Sequence, residues 1–413
     1  MNPRYQRIEH CRISPSRELV PVLDLGEMAL TGTFPDATEV DPPKVPLELV
    51  WCPQSGLVQL AHAMDASLLF GNHYGYRSGL NGSMVEHLRA KVASLEELVS
   101  PDPGDIVVDI GSNDATTLKA YRTAGLRRLG IDPTGAKFRE FYPPEIQVVS
   151  DFFTASAYRG VHAESARIVT SIAMFYDLDE PISFAREVAS ILRHDGVWHL
   201  EQSYLPSMLH QNSYDTICHE HLEYYSLQVM QRIMDAADLR IVDVSLNDIN
   251  GGSFALSVTH RANRSLATQQ ARIDQLLQAE QQLGLDTPRP YQEFKNRVLA
   301  QRERLRALVA SLRADGKRIV GYGASTKGNV TLQYCGFGPD DIEAIAEVNQ
   351  DKFGHRTPGT NIPIVSEEQA RSLRPDYFLV LPWHFRASIL RRETEYLASG
   401  GRFIFPFPQV EIV

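Results

Sequence analysis

Cys218-His219-Glu220-His221 brings a thiol, two imidazoles and a carboxylate into four consecutive residues. A neutral imidazole is a competent base at physiological pH, because its unperturbed pKa lies near 6.5. Such a base can remove a proton from carbon beside a ketone and leave an enolate. A metal site is the rival reading. The H-E-x-x-H template places its two histidines on one helical face, whereas here they stand two apart. On a strand both would face the same side, and an exposed loop with two histidines is the plain alternative.

A second constellation, Asp109-Ile110-Gly111-Ser112-Asn113-Asp114, follows an apolar strand and precedes a helix. Glycine at such a turn lets backbone approach a ligand closely. The next strand ends in Gly130-Ile131-Asp132, where a carboxylate can accept from the two ribose hydroxyls of an adenosine. A third ends at Ser150-Asp151-Phe152-Phe153, where Asp151 can accept from an adenine amino group beside the Phe152 ring. A dinucleotide needs G-x-G-x-x-G, whose second glycine admits a pyrophosphate. The single glycine of GSNDAT disfavours that group. S-adenosylmethionine (SAM) has no pyrophosphate, so Ser112 and Asn113 do not obstruct it. An ordinary strand–turn–helix with acidic loop ends is the bland reading.

Gly321-Tyr322-Gly323-Ala324-Ser325-Thr326-Lys327-Gly328-Asn329 forms a third site candidate after the strand RIV. Backbone N–H groups, hydroxyls and a lysine at a helix start suit an anion. The spacing is not that of a triphosphatase loop, so a sugar-nucleotide diphosphate is the better ligand, with Ser325, Lys327 and Asn329 as contacts. Arg77 would add positive charge across the seam. A glycine-rich turn that merely packs helix on strand explains the same residues. Trp383-His384-Phe385 reads as a packed aromatic strand end that can also line a cleft. Tyr76 is a candidate donor to a developing oxyanion, or a structural tyrosine between domains.

These groups need a scaffold, and the chain's 413 residues suffice for two or three domains. Residues 1–80 read as short strands between Pro- and Gly-bearing loops. Residues 81–260 alternate strands and helices in the rhythm of a doubly wound α/β sheet. A polar helical stretch follows, broken by Pro288 and Pro290, and a second Rossmann-like rhythm opens at KRIVGYGAS, giving a third unit over 261–413. With 43% hydrophobic residues, 22% charged residues and a net charge of −10, the chain is an ordinary globular protein without the basic excess of a nucleic-acid binder. No segment reads as a signal peptide or membrane span, so a cytoplasmic protein is expected, as a monomer or homodimer.

In order and spacing, LDLGEMALTGTFP, YGYRSGLNGSMVEHL, DIGSND, FYDLDEP, YDTICHEHLEYYSL, NGGSFAL and GYGASTKGN resemble the SAM-dependent sugar C-methyltransferases that act on nucleotide-linked keto-deoxysugars. The resemblance runs from about Cys11 to Pro408. It implies an N-terminal zinc-binding module, a central SAM domain and a C-terminal Rossmann-like domain. It also implies His221 as the base, Glu220 as its support and Asp177 as a second acid/base group. Relatives can carry tyrosine at Cys218, which puts the neighbouring sugar contact in question and not the base, and histidine near Asp177, which leaves its second acid/base role open. They also carry two Cys-x-x-Cys pairs that close a zinc site. Here the pairs read Cys11-Arg12-Ile13-Ser14 and Cys52-Pro53-Gln54-Ser55, so Cys11 and Cys52 are vestigial and the module is expected to fold without zinc. His10 or His62 is an untested substitute ligand. Methyl transfer to oxygen, nitrogen or a non-sugar acceptor is one alternative, and a non-catalytic sugar-nucleotide binder is another.

Overall fold

The structure, a computed structural model, describes residues 5–65, 69 and 76–413. Tyr74 and Gly75 of the YGYRSGLN block lie outside the described residues. At the N-terminal end, β1 (Tyr5–Arg7) pairs with β5 (His62–Met64), while β2 (Val20–Ala29), β3 (Lys44–Trp51) and β4 (Val58–Leu60) form an antiparallel sheet. The alternation in KVPLELVW turns Val45, Leu47 and Leu49 into the core, which fixes the register of β3.

The central sheet holds β6 (Ile106–Ile110), β7 (Arg127–Ile131), β8 (Ile146–Val149), β9 (Ala166–Ile172) and β10 (Leu192–Ser203). After the two-residue β11 (Glu223–Tyr224), β12 (Leu239–Asn247) and β13 (Ser253–His260) complete it in the order β12-β13-β10-β9-β6-β7-β8. β13 runs antiparallel to both neighbours and the rest are parallel. Ile106–Ile110 is buried at every position, as a strand covered on both faces requires. One cover is the helix Gly82–Val99, which buries Met84, Leu88, Val92, Leu95 and Val99 at helical spacing and is capped by Asn81.

The third sheet contains β14 (Ile319–Tyr322), β15 (Ile345–Glu347), β16 (Ile364–Ser366), β17 (Tyr377–Val380), β18 (Arg402–Phe405) and β19 (Glu411–Ile412). Its order is β16-β15-β14-β17-β18-β19, parallel but for β19. The α/β class with two Rossmann-like sheets and a small N-terminal β-rich module therefore describes the chain.

The units interlock through three elements. The helix Gln270–Leu283 packs Ile273 into the central core with Ile241 and Val244, although it follows residue 260. The long helix Arg289–Ala314 sets Tyr291 against Trp51 of the first module, ring centroids 5.1 Å apart, and buries Phe294 in the same core as Phe403. β11 leaves the central unit and adds a strand to the N-terminal sheet, Glu223 opposite Gln59. The CHEH stretch just before β11 is thereby held at the meeting point of all three units.

Candidate active site

A cavity of about 270 Å³ opens at the carboxyl ends of β6, β7, β9 and β10, where the strand order reverses. Asp109, Gly111, Asn113, Asp132 and Phe152 all line it, as do Tyr76 and Asp177. Gly111 adopts φ +75°, and a Cβ there would lie 3.1 Å from the Met174 side chain, so both backbone and space call for glycine. Asp132 Oδ2 accepts the Asn113 N–H at 2.7 Å, and Oδ1 accepts the Thr134 N–H and hydroxyl at 2.6 and 2.5 Å. Three of about four acceptor positions on that carboxylate are thus taken internally. One remains open toward the cavity.

Asp109 is buried beneath the loop, accepts the Thr170 hydroxyl at 2.6 Å, and is pushed by burial up to about 7. Asp151 is exposed, accepts the Phe152 N–H at 2.8 Å and does not appear among the lining residues, unlike its neighbour Phe152. The 76–81 loop is strapped over the site. Asn113 donates to the Tyr76 carbonyl and accepts the Ser78 N–H, and Asp114 accepts the Gly79 N–H. The cavity's composition and its adenosine-type carboxylate fit SAM.

Sequence reasoning missed Glu201, at the end of β10. Its carboxylate lies in the cavity wall and accepts His87 Nε2 at 2.6 Å, Lys91 Nζ at 2.8 Å and Asn247 Nδ2 at 2.8 Å. Against the cost of burial, these partners hold it down to about 2. Glu201 therefore docks the Gly82–Val99 helix, whose Met84 and Leu88 also line the cavity.

His221 stands one shell away from the cavity wall. Its ring packs on Tyr176 at 4.2 Å between centroids, and Asp177, the next residue, lines the cavity. Its Nδ1 lies 2.8 Å from the Thr216 carbonyl. A carbonyl only accepts, so Nδ1 carries the proton and Nε2 keeps its lone pair. Burial, and then the charge of Lys327, push this imidazole down to about 3, so it stays neutral. His219 turns the other way, with Nε2 donating to the Val45 carbonyl at 3.2 Å. The two histidines therefore do not converge on a common ligand.

Carboxyl groups crowd the same place. Asp177 is raised well above its ordinary value by burial and by the Glu220 and Glu223 carboxyl groups, and its Oδ1 is buried without a hydrogen-bond partner among the described residues. Burial also raises Glu220, which takes the Thr31 hydroxyl at 3.4 Å. A Cβ on Gly32 would fall 2.2 Å from Glu220 Oε1 and 3.7 Å from the Thr326 hydroxyl, so all three units touch here. Asp215, also missed in the sequence, accepts Trp383 Nε1 at 2.8 Å and is pushed by burial up to about 6.

Lys327 Nζ donates to the Asn250 carbonyl at 2.7 Å, and its charge acts on His221, His384 and Asp215. Ser325 caps its helix by accepting the Gly328 N–H, and the fully buried Asn329 donates to the Thr31 carbonyl at 2.8 Å. Arg77 lies over the Phe141 ring at 4.4 Å, on the cofactor side. His384, near the same lysine, has a buried Nδ1 without a partner among the described residues.

In the N-terminal module, Cys11 Sγ lies 3.2 Å from Ser55 Oγ, and Ser14 Oγ 3.8 Å from Cys52 Sγ. The four positions of a Cys-x-x-Cys pair of pairs have come together, but as two thiols and two hydroxyls. Neutral hydroxyls do not replace thiolates on zinc. Among the described residues, no group of three His, Cys, Asp or Glu side chains is arranged to hold a metal. These residues do not fit zinc, and hydrogen bonding occupies its place. Dialysis against a strong chelator is therefore expected to leave the thermal midpoint unchanged, and a fall in the midpoint that zinc reverses would refute this.

Three family models match in order along the chain: a zinc binding domain over residues 11–70, a methyltransferase domain over 84–244, and a C-methyltransferase C-terminal domain over 248–408. C-methyltransferase NovU of Streptomyces niveus is 33% identical over 412 residues, 98% of this chain and 97% of NovU. Among solved structures, magnesium protoporphyrin IX methyltransferase (ChlM) from Synechocystis PCC 6803 with bound SAM aligns over 43% of this chain and 78% of its own, at 12% identity and TM-score 0.31. The CcbJ methyltransferase of Streptomyces caelestis aligns over 42% and 89%, at 12% identity and TM-score 0.33. No helix among the described residues is long and apolar enough to cross a membrane. With the full-length match to NovU and a C-methyltransferase model over its last third, the chain belongs to the SAM-dependent C-methyltransferases and is a carbon-methylating enzyme.

Proposed function

We propose that the acceptor is a nucleotide-linked keto-deoxysugar, methylated through an enolate for which His221 is the base. The observation that carries this reading is the fixed tautomer of His221, with Nδ1–H on the Thr216 carbonyl and a free lone pair at Nε2. Bound SAM would supply an electrophilic methyl carbon, transferable to a carbon nucleophile with S-adenosylhomocysteine as the leaving group. Asp109, Gly111, Asn113, Asp132 and Phe152 hold the cofactor, with Asp151 as an outer acceptor for the adenine.

In this reading Nε2 takes the proton from the carbon beside the ketone, and negative charge moves to the ketone oxygen. Lys327, already close enough to depress His221 electrostatically, offsets that charge. As the oxygen becomes negative, the lysine's pull on the imidazole is cancelled and Nε2 gains proton affinity when it needs it. Asp177, whose burial and neighbouring carboxyl groups favour its protonated form, and the Tyr76 phenol are the hydrogen-bond donors to the oxygen. Glu220 faces the imidazolium side of the exchange. The backbone N–H groups at the start of the helix Thr326–Cys335, with the Ser325 hydroxyl beside them, form the diphosphate end of the cleft.

The test is exchange in D2O with S-adenosylhomocysteine bound, so that no methyl transfer competes. Keto-deoxysugar nucleotides are expected to take up deuterium at the carbon beside the ketone, and to be methylated there once SAM is supplied. No exchange and no methylation across such a panel, with methylation of a free keto acid instead, would refute the sugar assignment.

A further inference from the structure

Arg12 occupies the turn between two positions of the vestigial zinc motif, yet its side chain is only 3% exposed and points into the central unit. Its Nε donates to Asp179 Oδ1 at 3.0 Å and lies 3.8 Å from Glu223 Oε1. The other end of the guanidinium is anchored in the N-terminal sheet, where Nη1 donates to the Leu60 carbonyl at 2.8 Å and to Gln59 Oε1 at 3.4 Å. The Arg12 main-chain N–H donates to Gln59 Oε1 as well, at 3.1 Å.

The two carboxylates belong to the two segments that matter for the chemistry. Asp179 is two residues beyond Asp177, in the loop that lines the cofactor cavity. Glu223 is two residues beyond His221 and is fully buried; burial raises it well above its ordinary value, and the Arg12 guanidinium and the neighbouring Tyr225 hydroxyl work against that rise. A buried carboxylate so placed depends on its neighbouring cation. The segments also touch one another, since the Leu222 N–H donates to the Tyr176 carbonyl at 2.8 Å. One guanidinium thus spans both, from a turn held by the Cys11–Ser55 and Ser14–Cys52 contacts.

We propose that Arg12 is a positioning residue, which fixes the Asp177 loop and the segment after His221 relative to each other. What the module's motif gave up in metal binding it keeps as a hydrogen-bonded mount for this arginine. The proposal rests on the roles given above to His221 and Asp177.

The test uses the full-length enzyme and two variants. Arg12→Met with Glu223→Gln removes the buried charge pair together, so that no carboxylate is left buried alone and folding is preserved. Arg12→Lys keeps the charge with a shorter reach. The double variant is expected to lose roughly 10–10²-fold in kcat through loss of alignment, while KM for SAM stays near wild type. Amide exchange should quicken in residues 175–180 and 221–225, and Arg12→Lys should recover part of the lost kcat. Wild-type exchange in both segments would overturn the positioning role. Quickened exchange with wild-type kcat would instead uphold Arg12 as a mount and overturn the assignment of chemistry to His221 and Asp177.

Discussion

Replacing His221 by alanine is expected to lower kcat by roughly 10²–10⁴-fold, the usual span for loss of a general base. Affinity for S-adenosylhomocysteine should stay at the wild-type value, because His221 is absent from the residues that line the cofactor cavity. The argument rests on what the protein has done to this one imidazole. The Thr216 carbonyl fixes its tautomer, the Tyr176 ring fixes its plane, and burial with Lys327 keeps it unprotonated. His199 and His219 also leave one ring nitrogen unpaired among the described residues, but in both that nitrogen is buried. In His221 one nitrogen is engaged, and the other, with no hydrogen bond from the described residues, is not among the buried unpaired atoms. The measurements are single-turnover methyl transfer and calorimetric titration on the same preparation. Wild-type turnover would place the base elsewhere, with Glu220 the next group to replace. A fall in cofactor affinity of the same size as the fall in rate would mean that His221 shapes the cavity instead.

The cofactor half of the site was legible because its parts are local. A strand, a glycine and an acidic residue at the next strand end lie within about one βαβ unit, and spacing alone carries them. The acceptor half is built from pairs far apart in sequence, which no window can see. Trp383 donates to Asp215 across 168 positions, Asn329 to Thr31 across 298, and Gly32 is the space that Glu220 fills. Lys327 and Asn329 were recognisable as chemistry-bearing residues, but their partners were not. The loop that reads as a phosphate cradle spends its lysine on the Asn250 carbonyl and its asparagine on the first module. The three-residue β16 and the two-residue β11 escaped for a different reason. Strands so short have no periodicity, and register with a neighbour is all that defines them. β11 is the costlier omission, since it carries the residues after His221 into the N-terminal sheet.

Replacing Asp132 by alanine is expected to weaken S-adenosylhomocysteine binding by about tenfold or more, the size of one lost hydrogen bond to a charged group together with a loosened loop. Its carboxylate does two things at once. It holds the Asn113 N–H and both donors of Thr134, and it leaves one acceptor position facing the cavity. Alanine removes both functions, so the backbone turn at Asn113, with φ +48°, loses the contact that keeps it tight. Asp132→Asn separates them. It presents a carbonyl oxygen on one side but sets an amide N–H against a donor on the other, so it should bind the cofactor better than alanine and worse than wild type. On the proposed placement of the carboxylate at the cofactor's ribose, rate at saturating SAM should change little in either variant. An unchanged affinity in Asp132→Ala would remove the ribose from this strand end. A large fall in saturated rate with unchanged affinity would mean that the loop at Asn113 aligns the methyl donor without contributing to its binding.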